Sequence, residues 1–423
     1  MDTHSVLKHV SAVALAGACT LGATAAFAGE ITVWCWDPNF NVAIMKEAGA
    51  LYTAKHPDTT FNVVDFAKSD VEQKLQTALA SGTTQALPDI VLIEDYGAQK
   101  YLQSFPGAFA PMSDVVDYSG FAPYKVELMT LDDKVYGMPF DSGVTGMYYR
   151  SDYLAEAGFK PEDMQNITWD RFIEIGKEVE AKTGHKMTSI DLNDGGMTRI
   201  MMQSAGQWYF DGNGDLNIKD NAALKAALKT QAKMANAGIL YPATGWSNYV
   251  NAFTSGNTAS VITGVWITGT IKAQTDQADK WRVAPIPSLD GVDGATHASN
   301  LGGSSWYVLS SSKEKDEAID FLNEIYGKDV DFYQKILTER GAVGSLLAAR
   351  DGEAYQASDP FFGGEPVWQM FSQWLNDIPP VNYGIFTNEL DTAVTANLQS
   401  LVDGKPIDDV LGAIQQQAQY QIQ

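Results

Sequence analysis

Residues suited to polar recognition gather in this sequence where apolar runs end. Trp36, Asp37 and Asn39 follow residues 31–35, and Glu94, Asp95 and Tyr96 follow 89–93. Trp266 follows 260–265, and Asp141 and Ser142 follow Tyr136-Gly137-Met138-Pro139. Carboxylates and amides make paired, charge-assisted hydrogen bonds to adjacent hydroxyls. Indole and phenol rings add a flat apolar area with an electron-rich face. That pairing matches a polyol with hydroxyls on its edge and C–H patches on its faces. An enclosed carboxylate costs roughly several kcal/mol unless donors reach it, so such a cleft favours closure around a ligand and resists closing empty. Trp34 and Trp169, in mid-strand and at a helix start, are expected in the core instead. Asp95 has a second reading, as the cap of a helix over 96–103.

Strands must hold these residues, because ligands of open α/β sheets bind beyond the carboxyl ends of the strands. Apolar runs alternate with amphipathic helices, which predicts an α/β protein with largely parallel sheets. Strands are expected at 31–36, 61–66, 89–93, 146–149, 260–265, 281–284 and 305–309. Ser69 and Glu72 form a capping-box pattern for a helix closed by Gly82, and Thr168 precedes a helix over 169–182. Further helices are expected over 221–237 and 314–326. Short Pro/Gly-bearing segments at 137–143 and 285–287 suit hinges between two lobes.

Residues 1–28 are read as a secretory leader: Lys8 precedes an apolar run over 10–21, and Ala26 and Ala28 frame a cleavage site after Ala28. Lipidation at Cys19 is disfavoured, because Ala16-Gly17-Ala18 lacks the large aliphatic residue usual before a lipidated cysteine. Residues 29–423 are too many for one ordinary core and fit two lobes. Only Cys35 survives cleavage, so no intrachain disulfide is expected, and its place inside a strand marks it as an inert core thiol. The formal net charge of −23 repels phosphates and disfavours nucleic acid and anionic lipid.

Enzyme motifs fail on inspection. Ser310 and Lys313 fit S-x-x-K and Lys182-Thr183-Gly184 reads K-T-G, but their order is reversed and no S-D-N accompanies them. Asp211-Gly212-Asn213-Gly214-Asp215 has Leu216 where a calcium loop needs glycine, and Ala222 where it needs glutamate. His56, His185 and His297 are scattered without metal-ligand spacing, and no metal or cofactor is expected. Two other classes stay open: a glycosidase drawing a pair from Asp37, Glu94, Asp95 and Asp141, and a two-lobed binder of a non-sugar ligand such as a polyamine.

Residues 88–96 (PDIVLIEDY) and 134–154 (KVYGMPFDSGVTGMYYRSDYL) resemble the extracellular solute-binding proteins, family 1. So do Thr168-Trp169-Asp170, 252–259 (AFTSGNTA), Ala284-Pro285-Ile286-Pro287 and Gly302-Gly303, in the family's order from about residue 30 onward. The resemblance implies an α/β, two-lobed periplasmic binding protein fold with three interlobe crossings. The lobes would comprise 29–139 with 286–326, and 140–285 with 327–423. It implies no catalysis: a monomer in the periplasm closes on a neutral sugar, a mono-, di- or small oligosaccharide, and delivers it to the membrane permease of an ABC importer. Carried over by position, Trp36, Asp37 and Asn39 form a sugar-contacting loop, with Glu94, Asp95 and Tyr96 at the turn after the third strand. An arginine of the family's maltose binder is absent from that turn, and Gly97 stands nearby. Asp141 and Ser142 match the first crossing, Asn193 and Asp194 a polar loop, and Trp266 a stacking ring. Gly303 and Ser304 match the second crossing and Tyr383 another cleft aromatic. Trp246 is added from its own position, in a loop before the Asn251 helix.

Overall fold

The computed structural model describes residues 29–422; the leader, its cleavage point after Ala28, and Cys19 lie outside the described residues. Seven strands make the main sheet: β1 (Gly29–Cys35), β2 (Thr59–Asp65), β3 (Ile90–Glu94), β4 (Gly137–Arg150), β5 (Ser260–Gly264), β6 (Trp281–Ala284) and β7 (Asn300–Val308). Their order is β6-β4-β7-β3-β1-β2, with β5 also bonded to β4. β3 is buried through Ile93 between β1 and β7, as its unbroken apolar run requires.

In the main sheet the expected parallel arrangement holds for β1, β2 and β3 alone, and a separate pair, Thr188–Ile190 with Leu240–Pro242, is also parallel. β7 is antiparallel to β3 and β4, and β5 and β6 are antiparallel to β4. The cause is the two-lobed plan. β4 runs from the first lobe into the second, where β5 and β6 join it, and β7 carries the chain back. An outgoing and a returning strand that lie side by side must be antiparallel.

Two crossings therefore fall within strands, and the third in irregular backbone. The first is the middle of β4, where Ser142 N donates to Val343 O at 2.9 Å and Asp141 bridges Gly344. A side chain on Gly143 would bring its Cβ to 2.3 Å from Leu301 O, so the outgoing and returning backbones touch there. β7 brings the chain back beside β4 downstream of the expected hinge at 285–287. Ser288 still bonds the second lobe, exchanging backbone hydrogen bonds with Ile167 and Trp169, and Thr296 N donates to Ser204 O. The third is the stretch around 341–346, because the preceding helix Val330–Arg340 stays on the first lobe through Lys335 and Glu47.

Local signals explain most helix ends. Thr168 Oγ1 accepts from Arg171 N at 3.3 Å to open Trp169–Thr183, which stops at a left-handed Gly184. Asn221 Oδ1 accepts from Leu224 N at 2.8 Å to open Ala222–Asn236. Thr168→Ala is expected to cost about 1 kcal/mol in chemical denaturation, and a loss below a few tenths would show that Trp169 packing alone sets this end. The Ser69–Glu72 box does not form. The helix starts two residues earlier than that box requires, at Lys68, which pairs with Glu94 and leaves Ser69 inside the first turn. Trp169 is core as expected, and Trp34 is half-buried, edge-on to Phe66. Cys35 is fully buried, and burial first, then Asp65, pushes its thiol up to about 12. Among the described residues no helix is long and apolar enough to cross a membrane.

Candidate ligand-binding site

The expected site residues fall into three groups. The largest lies at the crossings. Asp95 leaves the end of β3 buried, and Lys125 Nζ, from the short helix Pro123–Leu128, donates to its Oδ1 at 2.6 Å. Lys125 also donates to Ser304 O at 2.9 Å, and Ser304 Oγ donates to Asp141 Oδ1 at 2.6 Å. Burial pushes Asp95 up to about 7 despite Lys125, with Asp141 and Glu94 adding to the rise. Burial also raises Asp141, opposed by Lys125 and Ser304. Gly303 stands against this pair: its φ is +82°, and a Cβ would come 2.7 Å from Asp95 Oδ2. Asp95 is thus no helix cap, because its side chain is committed to Lys125 and the following helix is only Ala98–Ser104.

Around that cluster runs a polar and aromatic shell. Ser142 Oγ lies 2.8 Å from Tyr124 OH. Asn300 Oδ1 accepts from Gly143 N at 3.1 Å. Tyr96 OH accepts from Gly302 N at 2.9 Å, while its ring lies 6.0 Å from Trp208 and 5.1 Å from Tyr383. Tyr383 OH donates to Gln203 Oε1 at 3.0 Å. Tyr96 follows β3 of the first lobe, whereas Trp208 and Tyr383 belong to the second, so these rings join the two. Arg199 adds a cation at the same junction. Its guanidinium sits 4.6 Å above the Tyr96 ring and pairs with Asp391 at 2.7 Å. Burial works against that charge, but Asp391, then Tyr96 and Glu94, outweigh it and raise the Arg199 pKa.

The second group is an aromatic shelf on the second lobe. Trp266, half-buried just after β5, donates its indole N–H to Leu301 O at 2.8 Å. Trp246 is 57% exposed, and its ring lies 5.7 Å from those of both Trp266 and Tyr249. Trp246 opens the helix Trp246–Thr254 rather than lying in a loop before it; Gly245 carries the turn at φ 77°. The neighbouring Asn193 and Asp194 are exposed, and Asp194 Oδ1 accepts from Gly196 N at 2.7 Å.

The third group stands apart. Asp37 and Asn39 are exposed, and Asp37 Oδ1 already accepts from Asn39 N at 3.0 Å and Phe40 N at 3.1 Å. Asp37 has φ 64°, a turn position its short polar side chain tolerates. Trp36, half-buried, donates its backbone N–H to Asn41 Oδ1. Glu94, partly exposed and paired with Lys68, belongs instead with the first group, where its charge reaches Asp95 and Arg199.

Sequence reasoning missed Lys125, Arg199, Lys68, Tyr124, Asn300 and Trp208. A signal existed for the first two. Lys125 lies between Tyr124 and Val126, and Arg199 precedes Ile200, Met201 and Met202. A lone cation inside an apolar helical stretch has to be buried with a partner or aimed at a site.

Comparison with known proteins agrees with this architecture. A family profile described as bacterial extracellular solute-binding protein matches residues 47–361. A lactose-binding protein of Rhizobium radiobacter is 70% identical over 423 residues, the whole of both chains. This chain belongs to the bacterial extracellular solute-binding proteins. An arabinooligosaccharide-binding protein of Bacillus subtilis is 27% identical over 308 residues, 69% of this chain and 68% of its own. Among solved structures, an ABC transporter associated binding protein from B. animalis subsp. lactis, in complex with beta-1,6-galactobiose, superposes with a TM-score of 0.73. It is 24% identical and covers 92% of this chain and 96% of its own. Members of this solute-binding family are transport components, so the glycosidase alternative is set aside. The carboxylates it would have used are engaged: Asp95 by Lys125, Asp141 by Ser304, Glu94 by Lys68 and Asp37 by its own turn.

Proposed function

We propose that this solute-binding protein captures lactose, or a closely related disaccharide, between its lobes in the periplasm and hands it to the permease of an ABC importer. It does so as a monomer, after loss of its leader at Ala28. The observation that carries this reading is the 70% identity, over the whole of both chains, to a lactose-binding protein. The chemistry at the lobe junction supports a neutral ligand over a polyamine. Arg199 and Lys68 are each paired with a carboxylate, Asp391 and Glu94, so the acids that a polyamine would need are already engaged. On this reading the Trp246–Trp266 shelf stacks on the sugar faces, while Glu94, Asp194, Asn193 and Arg199 address the hydroxyls. Asp95, Asp141, Ser142, Gly303 and Ser304 hold the crossings, Tyr96 and Tyr383 join the lobes, and Trp36, Asp37 and Asn39 form the outer loop. The lobes then divide as 29–142 with 304–343, and 143–303 with 344–422. This division is supported by the contacts of Ser288, Thr296 and Lys335.

Isothermal titration of the mature protein with lactose, maltose, an arabinooligosaccharide and putrescine tests the proposal. Lactose is expected to saturate with a Kd of about 1 µM or tighter, near −8 kcal/mol, and to emerge unhydrolysed. Saturation by putrescine or the arabinooligosaccharide with none by lactose would overturn it.

A further inference from the structure

Away from the lobe junction, three side chains converge at the outer edge of the first lobe. His56 follows the last residue of the helix Asn41–Lys55, and Asp320 and Glu324 lie four apart, on one face of the helix Lys315–Ile325. One ligand-type atom from each, an imidazole nitrogen and two carboxylate oxygens, lies within 4.8 Å of the others. His56 Nε2 is 3.0 Å from Glu324 Oε2. We propose that these three residues form a zinc-class divalent metal site.

The surroundings favour a cation. Tyr52 stacks on the His56 ring, with centroids 4.0 Å apart and planes at 13°, which fixes the imidazole. The Tyr52 hydroxyl donates to Asp320 Oδ2 at 2.8 Å and lies 3.0 Å from Glu317 Oε1. Ring and carboxylate are thus held by the same side chain, the outer-shell role that orients metal ligands. Asp320 and Glu324 bring two carboxylates to this spot, and Glu317 lies behind them, bonded by Tyr52 and Thr59. Lys55 Nζ pairs with Glu324 Oε1 at 2.7 Å.

Zinc binds imidazole nitrogen at about 2.0–2.1 Å and carboxylate oxygen at about 2.0–2.2 Å, with a fourth position left for water when three protein ligands are present. The exposed Asp320 and the partly buried His56 and Glu324 have to rotate to bring their atoms in from the present spacing. Imidazole selects zinc over calcium or magnesium, which prefer all-oxygen sets. Lys55, 61% exposed, competes for Glu324 and must swing into solvent when metal binds. The metal would pin the end of one helix to the other and stabilise the first lobe.

Titration of tag-free mature protein with zinc chloride, followed by calorimetry and thermal shift, tests this. One saturable site that raises Tm is expected, with His56→Gln weakening uptake at least about tenfold. Lys55→Gln is expected to tighten it several-fold, because Glu324 is released. No saturable uptake, or affinity unchanged in either variant, would overturn the site.

Discussion

Lys125→Met is expected to lower the unfolding free energy by about 3–5 kcal/mol at pH 8, the range for removing one partner of a buried ion pair. Lys125 and the side chain of Asp95 are wholly buried, and Asp141 lies close enough to feel the same charge. Without the ammonium, two carboxylates share a buried crossing, and Ser304 is the one side-chain donor to Asp141 among the described residues. The sign of the pH dependence follows from Asp95. Its folded pKa of about 7 lies above the unfolded value near 3.8, so its protonated form stabilises the fold at low pH. That contribution is full below the unfolded value and is lost as pH rises through about 7. Losing Lys125 raises the folded pKa further. The variant's deficit should therefore be larger at pH 8 than at pH 5, where Asp95 is protonated in both proteins. Adding Asp95→Asn should recover part of the loss, because it removes the stranded charge. Denaturant unfolding at both pH values decides the matter: an equal deficit at each, or no recovery in the double variant, would show that Lys125 acts through packing alone.

That cluster also marks where sequence reading stops. Asp95 could be singled out at a strand end, Asp141 and Ser142 in the Pro/Gly-bearing segment 137–143, and Gly303 and Ser304 by their match to the family's second crossing. Their common purpose could not, since it depends on Lys125, a residue 30 positions from Asp95. Strand and helix positions were readable because apolar period and capping are local: β1, β3, β5, β6 and the helices behind Thr168 and Asn221 stand where expected. Strand direction was not readable. Whether β7 runs with or against β3 depends on which lobe the chain has just left, and residues 285–298 carry no local mark of staying on the second lobe. The Ser69–Glu72 pattern misled because a long-range partner, Glu94, engages Lys68 and the helix begins there. His56 read as an isolated histidine for the same reason. Its neighbours Asp320 and Glu324 arrive from a helix more than 260 residues later.

Trp266→Ala is expected to weaken lactose binding at least tenfold, about 1.4 kcal/mol or more, while leaving the melting temperature nearly unchanged. The indole is well placed to act as a fixed platform. Its N–H is held by Leu301 O on the returning strand, and its ring abuts Gly302, where a Cβ would come 3.0 Å from Nε1. A platform held before the ligand arrives loses little entropy on binding, so the stacking contact is retained as affinity. Trp246 extends the surface, with 5.7 Å between ring centroids, and its 57% exposure leaves area for the second ring of a disaccharide. Trp266→Phe separates the two contributions, because it keeps an aromatic face but cannot bond Leu301. An intermediate affinity is expected for Phe, and a smaller loss for Trp246→Ala, whose ring is less constrained. Calorimetric titration of the three variants measures this order. Trp266→Ala binding lactose within threefold of the unaltered protein would mean the sugar stacks elsewhere, leaving the shelf as packing for the second crossing.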